Sequence, residues 1–259
     1  MLGGRCIGPH AMTIAIDLNA DLGEGGAHDA ELMSVITSCN IACSGHAGDR
    51  ASMETALRLA REHHVAAGAH PSFPDRENFG RSKSALSGAA LARSLHDQVS
   101  ELKGIAEALG LSLSHLKPHG ALYNMAATDP ELALTVAEVT ETSAPHAALV
   151  GPPNSQLQTM AERLGLDFIA EGFADRAYEP DGQLRSRTLD GAIIHAAEKQ
   201  VEQALEIATR KTVTAFAGAQ IPLPAQTICV HGDTPGAFGA AQSIRRAFER
   251  EGIRVCAPR

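Results

Sequence analysis

The feature that most constrains the fold of this chain is a regular alternation of short apolar runs with segments of helical periodicity. Seven such runs are bounded by polar or glycine-rich turns, and each is followed along the chain by a helical pattern. Because repeated strand–helix units place their strands side by side in one direction, the pattern predicts an α/β fold with a parallel sheet. The runs read IAIDLNA, SCNIACS, HVAAGAH, SLSHLKPH, AALVGPP, DFIAEGFAD and TICVHGD.

The number of strand–helix units favours a closed barrel. Seven or eight units without a break in composition indicate one TIM-like (β/α) barrel over residues 12–259, with a doubly wound open sheet as the alternative. Residues 1–11 are interpreted as an N-terminal extension. Two stretches without periodicity, 173–187 and 211–225, are predicted to be loops over one face. Helices are predicted at 29–37, 50–64, 88–109, 129–142, 154–164, 190–209 and 235–251, and the run IRVCA closes the chain.

The charge of the chain argues against two classes of partner. Its 259 residues carry a formal net charge of -8, with a pI of about 5.8, which provides no basic surface for nucleic acid or anionic lipid. No apolar run approaches the roughly 20 residues that span a bilayer, and the opening MLGGRCIGPHAM lacks the apolar core of a signal peptide. We therefore expect a cytoplasmic protein. Its five irregularly spaced cysteines predict reduced, mostly buried thiols, Cys43 among them.

Residues two apart in a strand share a face, so each apolar run divides into an inward set and a helix-facing set. In the first strand Asp17 and Asn19 share one face, and Asp21 and Glu24 follow in the loop. The small residues that align in later strands are expected to leave space inside the barrel for a small ligand. The aligned sets are Ala42, Ser44 and His46; Ala66, Gly68 and His70; His115, Lys117 and His119; and Cys229, His231 and Asp233.

The recurrence of histidine at strand ends carries the functional prediction. A single such histidine is more often a hydrogen-bonded core or capping residue than a catalytic one. Barrel enzymes, however, build their active sites from the loops at the carboxyl ends of the strands, where these histidines recur. The sequence therefore predicts an active site of histidine, aspartate and lysine at this rim.

Two loops offer further candidates. The segment AHPSFPDRENFGR, residues 69–81, has no regular period and carries Arg76 and Arg81. It is either a plain surface loop or a lid whose guanidinium groups hold a carboxylate, because arginine can donate to both oxygens. At Asp233–Thr234–Pro235 the residue types predict a helix start, and the same geometry is suited to binding an anion.

Six ordered blocks of this sequence resemble the LamB/YcsF family. The resemblance runs from Met12 to the C-terminus and implies a seven-stranded variant of the β/α barrel, related to glycoside hydrolases and deacetylases. It also implies ring opening of 5-oxoproline to glutamate, coupled to ATP hydrolysis, with two partner subunits. The blocks are DLNADLGE, NIAC with HAGD, GAHPSFPDRENFGR, KPHGALYN, FADRAY and QTICVHGD.

The resemblance carries a set of site residues onto this chain. Arg81, in the loop at 69–81, is a further candidate. One departure from the family pattern is the Ser44–Gly45 pair, which stands where the family usually places Gly-Phe and leaves the apolar wall of the pocket open to question. The candidate catalytic residues are Asp17, Asn19, Asp21, Glu24, His46, Asp49, His70, Lys117, His119 and His231, and the candidate substrate-binding residues are Arg76, Arg81, Asp175 and Arg176.

The chain lacks a phosphate-binding G-x-x-x-x-G-K-[ST] motif, although the implied reaction needs ATP. ATP is therefore expected to be bound mainly by the partner subunits, which phosphorylate the lactam oxygen. This chain then hydrolyses the activated lactam, with Asp17 or His119 as base, Lys117 stabilising negative charge and an arginine holding the carboxylate.

Two other functions fit the same residue types. A metal-dependent amide hydrolase or deacetylase is one, since aspartate and histidine are ligands for zinc or manganese. No local His-x-x-x-His spacing supports it, and Lys117 lies among the candidate ligands, so we expect no metal on this chain. A non-catalytic protein that binds small acids is the other, although it leaves the crowding of acids and bases at the rim unexplained.

Overall fold

The computed structural model describes residues 14–231 and 236–258, and in it seven parallel strands close into a barrel. The strands pair in chain order, and the seventh pairs with the first, so the predicted TIM-like barrel is confirmed in its seven-stranded form. The seven strands are β1 (Ala15–Leu22), β2 (Ser38–Ala42), β3 (Ala66–His70), β4 (His115–Leu116), β5 (Ala148–Gly151), β6 (Phe168–Phe173) and β9 (Thr227–His231). Six of them lie within the predicted apolar runs, and β1 extends two residues beyond its run, so Asp21 lies in the strand and not in the loop where it was expected.

Helices surround the barrel and pack their apolar faces against it. In α2, Met53, Leu57 and Ala60 recur at helical spacing and are fully buried, while the opposite face is polar. This helix begins where Asp49 accepts a hydrogen bond from the backbone N–H of Ser52, and it ends at His64 in the left-handed conformation. The helices are α1 (Asp29–Met33), α2 (Arg50–His63), α3 (Gly88–Ala108), α4 (Gly120–Ala126), α5 (Pro130–Ser143), α6 (Gln156–Leu164), α7 (Ala197–Arg210) and α8 (Ala237–Arg250).

Four elements differ from the sequence prediction. The helix predicted at 29–37 ends at Met33. The helix predicted at 190–209 begins only at Ala197, because Arg176 holds the preceding segment in an extended bridge with Ile193. The predicted loop at 211–225 contains a hairpin of β7 (Thr212–Thr214) and β8 (Gln220–Pro222), and α4 was not predicted. The closing run forms β10 (Arg254–Val255), which pairs with the start of β1.

The inside of the barrel is filled with polar side chains, contrary to the expectation of free space for a ligand. Gly68 faces inward as predicted, but a Cβ there would lie 2.2 Å from the His115 ring, so this imidazole takes the space that glycine leaves. Asn40 donates to Asn19 and Asp21 and also bonds to His115, which ties three strands together. A ligand must therefore bind above the barrel, at its rim.

Some predictions fall outside the described residues. These are the N-terminal extension at 1–11 and the helix start at Asp233–Thr234–Pro235. The predicted burial of Cys39, Cys43 and Cys229 is confirmed, and their thiols are free. None of the helices in the described ranges combines the length and the apolar composition that crossing a bilayer requires.

Candidate active site

A cavity of about 410 Å³ opens at the carboxyl ends of the strands. Its volume lies in the range of about 300 to 1,000 Å³ that is typical of small-molecule sites. The barrel strands supply its floor, and the segment that follows β6 supplies one wall. The charged and aromatic residues that line it are Asp21, Arg81, Lys117, His119, Tyr123, Phe173, Arg176, Arg185, Arg187 and His231.

Lys117 is the buried cation at the floor of this cavity. Its Nζ lies 2.9 Å from Asp21 Oδ1 and 2.9 Å from Glu171 Oε1, and only 2% of its side chain is exposed. Burial acts to lower the pKa of Lys117, but Asp21 and Glu171 outweigh it and hold the pKa well above its ordinary value. The ammonium therefore compensates two carboxylates that burial would otherwise leave unpaired.

Three histidines and one carboxylate form a compact group beside Lys117, which we call the histidine cluster: Glu24, His46, His70 and His119. His46 Nε2 lies 2.9 Å from Glu24 Oε1, and His119 Nδ1 lies 2.9 Å from His70 Nε2. The rings of His46 and His119 stack with centroids 3.6 Å apart. Burial lowers the pKa of both His46 and His119, so their neutral forms are favoured.

His231 and Asp175 form a separate hydrogen-bonded pair, at the end of β9 and just after the end of β6. His231 Nδ1 lies 3.0 Å and 2.9 Å from the two carboxylate oxygens of Asp175, and Phe173 stacks on the imidazole. Burial acts to raise the pKa of Asp175, but His231 outweighs it and the pKa lies below its ordinary value. Because Asp175 occupies Nδ1, a proton exchanged between His231 and a ligand must move through Nε2.

The predicted arginines separate into different roles. Arg76 donates to the backbone carbonyls of Ser44 and Gly48 and does not line the cavity, so it braces the loop that carries His46. Arg176 lines the cavity but donates to the carbonyls of Ala192 and Arg185, which ties down the segment after β6.

Arg81 and Arg187 also line the cavity. Arg81 lies over the ring of Phe79, at 4.9 Å from its centroid. Guanidinium groups present parallel N–H donors, so the arginines that line this cavity are of the residue type suited to hold a ligand carboxylate.

Three predicted catalytic residues belong neither to the cavity lining nor to the histidine cluster. Asp49 is an exposed cap at the start of α2. Asn19 lies inside the barrel, where it donates to Glu171 and Thr227. Asp17 lies deeper still, near the start of β1 rather than at its end, and accepts hydrogen bonds from three hydroxyl groups: those of Thr37, Ser38 and Thr227. The structure therefore places Asp17 out of reach of a ligand in the rim cavity.

The position of Asp17 leads to a prediction about stability. Burial raises the pKa of Asp17, so the folded protein binds this proton more tightly than the unfolded chain. As pH rises from the ordinary pKa through the raised one, the unfolded chain gives up its proton first, and the folded state becomes relatively less stable. We expect the free energy of unfolding of the wild type to fall relative to Asp17→Asn across that window. Urea unfolding of both proteins at several pH values measures this, and a constant difference would contradict it.

The sequence reasoning missed several residues of the site. Glu171 pairs with Lys117, and it could have been found because it is a charged residue in an apolar run on the same face as Phe173. Tyr123 lies on the unpredicted helix α4. Burial, and then the charge of Glu171, raise the pKa of Tyr123 well above its ordinary value, so it is a neutral phenol. Neither the Tyr123 hydroxyl nor Glu171 Oε2 has a hydrogen-bond partner among the described residues.

The Ser44–Gly45 departure has a packing explanation. A Cβ at Gly45 would lie 2.3 Å from Gln98 Oε1 and 2.4 Å from Ser72 Oγ, so polar side chains already fill the space where a larger residue would stand. The apolar contact to His46 comes instead from Phe79, whose ring meets the imidazole edge-on at 5.2 Å. The histidine cluster therefore keeps an apolar contact, supplied by a different loop.

Fold and site together define a seven-stranded (β/α) barrel protein with a charged, histidine-rich site at the carboxyl ends of its strands. The chain belongs to the LamB/YcsF family, whose family model matches residues 16–259.

Relatives cover nearly the whole chain. The A subunit of 5-oxoprolinase from Erwinia tasmaniensis is 45% identical over 240 residues, which cover 93% of this chain and 98% of that protein. The corresponding 5-oxoprolinase subunit of Histophilus somni is 43% identical over 240 residues, covering 93% and 97%. The crystal structure of the lactam utilization protein from Thermus thermophilus matches with a TM-score of 0.88 at 37% identity, covering 94% of this chain and 100% of that one.

Proposed function

We propose that this chain is a subunit of an ATP-dependent 5-oxoprolinase and that it opens the lactam ring of 5-oxoproline to give glutamate. The observation that carries the proposal is the near full-length similarity to proteins named as the A subunit of 5-oxoprolinase, at 45% identity over 93% of this chain. The rim cavity supports it, because its chemistry is complementary to a small cyclic amide with a carboxylate.

Polar groups around the cavity match the substrate. A lactam presents a carbonyl acceptor beside an N–H donor. The Tyr123 hydroxyl and Glu171 Oε2 are buried close to each other at the cavity wall, and they offer one donor and one acceptor once a side chain there moves aside to admit the lactam. Both line an adjoining cavity of about 370 Å³, and Tyr123 lines the first cavity as well. Arg81 and Arg187 then provide the positive charge for the carboxylate.

The reaction needs activation because amide resonance stabilises the lactam. In the proposed sequence the partner subunits use ATP to phosphorylate the lactam oxygen. Water then adds to the activated carbon with His231 as the base, and the ring C–N bond breaks as the nitrogen is protonated. The resulting acyl phosphate reacts with a second water to give glutamate and phosphate. Asp175 holds His231 in one orientation throughout.

Lys117 has a positioning role in this sequence. Its Nζ contacts Asp21 and Glu171, and it also lies 3.2 Å from Cys229 Sγ. These contacts fix the carboxylate of Glu171 at the cavity wall, so the lysine acts mainly by holding and neutralising the acids around it.

A reconstitution experiment tests the proposed function. Alone, this chain is expected to form no glutamate from 5-oxoproline and ATP, because the activated lactam is made by its partners. Adding the two other subunits is expected to restore ATP-dependent glutamate formation, measured by chromatography. The loops at 69–81 and 173–187 should gain protection from hydrogen exchange in the complex. The proposal is wrong if the isolated chain turns over 5-oxoproline, or if the partners are equally active without it.

A further inference from the structure

The histidine cluster contains two ring nitrogens that face each other and that each carry a lone pair when both rings are neutral. His70 Nδ1 lies 2.8 Å from the backbone oxygen of Lys117, and a carbonyl only accepts, so Nδ1 bears the hydrogen. His119 Nε2 lies 3.0 Å from the backbone oxygen of Phe79 and bears the hydrogen of that ring for the same reason. In the neutral rings, His70 Nε2 and His119 Nδ1 are therefore both acceptors, yet they lie 2.9 Å apart.

Two facing lone pairs beside a carboxylate are stabilised by a positive charge between them, either a shared proton or a metal ion. Glu24 Oε1 lies 3.4 Å from His119 Nδ1 and 3.9 Å from His70 Nε2, so the negative charge is directed at the same point. Imidazoles whose outer N–H donates to a backbone carbonyl are the usual arrangement around a bound metal ion, because that hydrogen bond fixes the tautomer and directs the lone pair inward.

We propose that the histidine cluster is a binding site for a divalent transition metal ion of the zinc class. The ligand atoms of Glu24, His46, His70 and His119 all lie within 4.8 Å of one another. Tetrahedral zinc with bonds of about 2.0 to 2.1 Å separates its ligands by about 3.3 Å. Four of the ligand-atom separations are 2.9, 2.9, 3.4 and 3.9 Å, which bracket that value. The His46 and His119 rings are stacked 3.6 Å apart, so one of them must tilt on metal binding to direct its in-plane lone pair at the ion.

The expectation that this chain binds no metal rests on the missing His-x-x-x-His spacing and on the charge of Lys117. Neither reason holds in the folded structure. The ligands need no local spacing, because they come from the separate ends of β1, β2, β3 and β4. The charge of Lys117 does not oppose a second cation, because Asp21 and Glu171 compensate it. Asp21 also faces the cluster, with Oδ2 at 3.3 Å from His70 Nε2.

The ion would lie at the edge of the rim cavity, because His119 and Asp21 line that cavity. If the proposed function holds, a metal there supplies a Lewis acid near the lactam or its phosphorylated form. Glu24 and His46 serve only as ligands in this arrangement. His46 Nδ1 has no hydrogen-bond partner among the described residues. The orientation of the His46 ring is therefore less constrained than that of the His70 and His119 rings.

Metal binding can be measured without substrate or partner subunits. The protein is stripped with a chelator and dialysed against zinc or cobalt, and bound metal is counted by elemental analysis. We expect about one ion per chain, a higher melting temperature with metal, and the visible absorption of tetrahedral cobalt. His70→Gln and Glu24→Gln should each weaken binding by at least about 10- to 100-fold, the loss that even outer-shell changes cause.

A histidine outside the cluster provides the matched control. His96 bonds to Ser143 on the surface, and His96→Gln should bind metal as the wild type does. If the wild type binds no more metal than His70→Gln, or if cobalt keeps its hydrated octahedral spectrum, the site does not exist and the cluster shares a proton instead. The cobalt spectrum of the wild type tests metal binding by the histidine cluster even where a variant fails to fold. Because no substrate is used, a negative result leaves the proposed function standing.

Discussion

Replacing Lys117 with methionine is expected to lower the free energy of unfolding by about 3 to 5 kcal/mol, the cost of leaving buried charges without their partner. Methionine keeps most of the side-chain volume, so the loss arises from the two carboxylates, Asp21 and Glu171, which each lie 2.9 Å from the ammonium. Urea unfolding followed by circular dichroism measures the change.

A surface lysine gives the comparison. Lys103 lies 3.9 Å from Glu107 on an exposed helix face, and Lys103→Met should change stability by less than about 0.5 kcal/mol. The double variant Lys117→Met/Glu171→Gln should recover part of the loss, because it removes one of the two unpaired charges. A loss in Lys117→Met no larger than that in Lys103→Met would show that the buried ion pairs contribute nothing.

Replacing His231 with glutamine is expected to lower glutamate formation by the reconstituted enzyme by about 100- to 10,000-fold, the range typical of removing a general base. Asp175→Asn should lower it as well, because the imidazole loses the carboxylate that holds Nδ1. The measurement is the steady-state rate at saturating 5-oxoproline and ATP, with thermal unfolding to show that each variant is folded.

The exposed His195 provides the control for this experiment, and His195→Gln should retain the wild-type rate. A rate near that of the wild type in His231→Gln would remove this residue from the mechanism. In that case His119, which lines the same cavity, would be the next candidate for the base only if the histidine cluster holds no metal ion.

The strands and their inward faces could be predicted from the sequence because both depend on local order. Apolar runs identify the strands, and the two-residue period of a strand determines that Asn19, His70, Lys117 and His231 face one side. Helix ends were less predictable. The segment at 190–196 has a helical pattern, yet Arg176 binds it in an extended form through a contact that spans 16 residues.

Roles within the site were the least predictable part. Arg76 and Arg81 belong to one loop and share one chemistry, but only Arg81 lines the cavity, while Arg76 donates to backbone carbonyls. Asp17 and Asp21 lie on the same face of β1 but at different depths in the barrel. Asp17 is enclosed by hydroxyl groups, whereas Asp21 reaches the rim. Sequence spacing contains no measure of that depth.

By itself the sequence determined the barrel, the family and the set of polar residues that faces inward, because these follow from periodicity and motif along the chain. Only the tertiary structure decided which of those residues meet. Closure pairs β1 with β9, so that Asp21 lies in register with His231, more than 200 positions away in the chain. The same closure brings Glu24, His46, His70 and His119 from four loops and strand ends to within 4.8 Å. Such distances depend on strand register and barrel geometry, which no local pattern encodes.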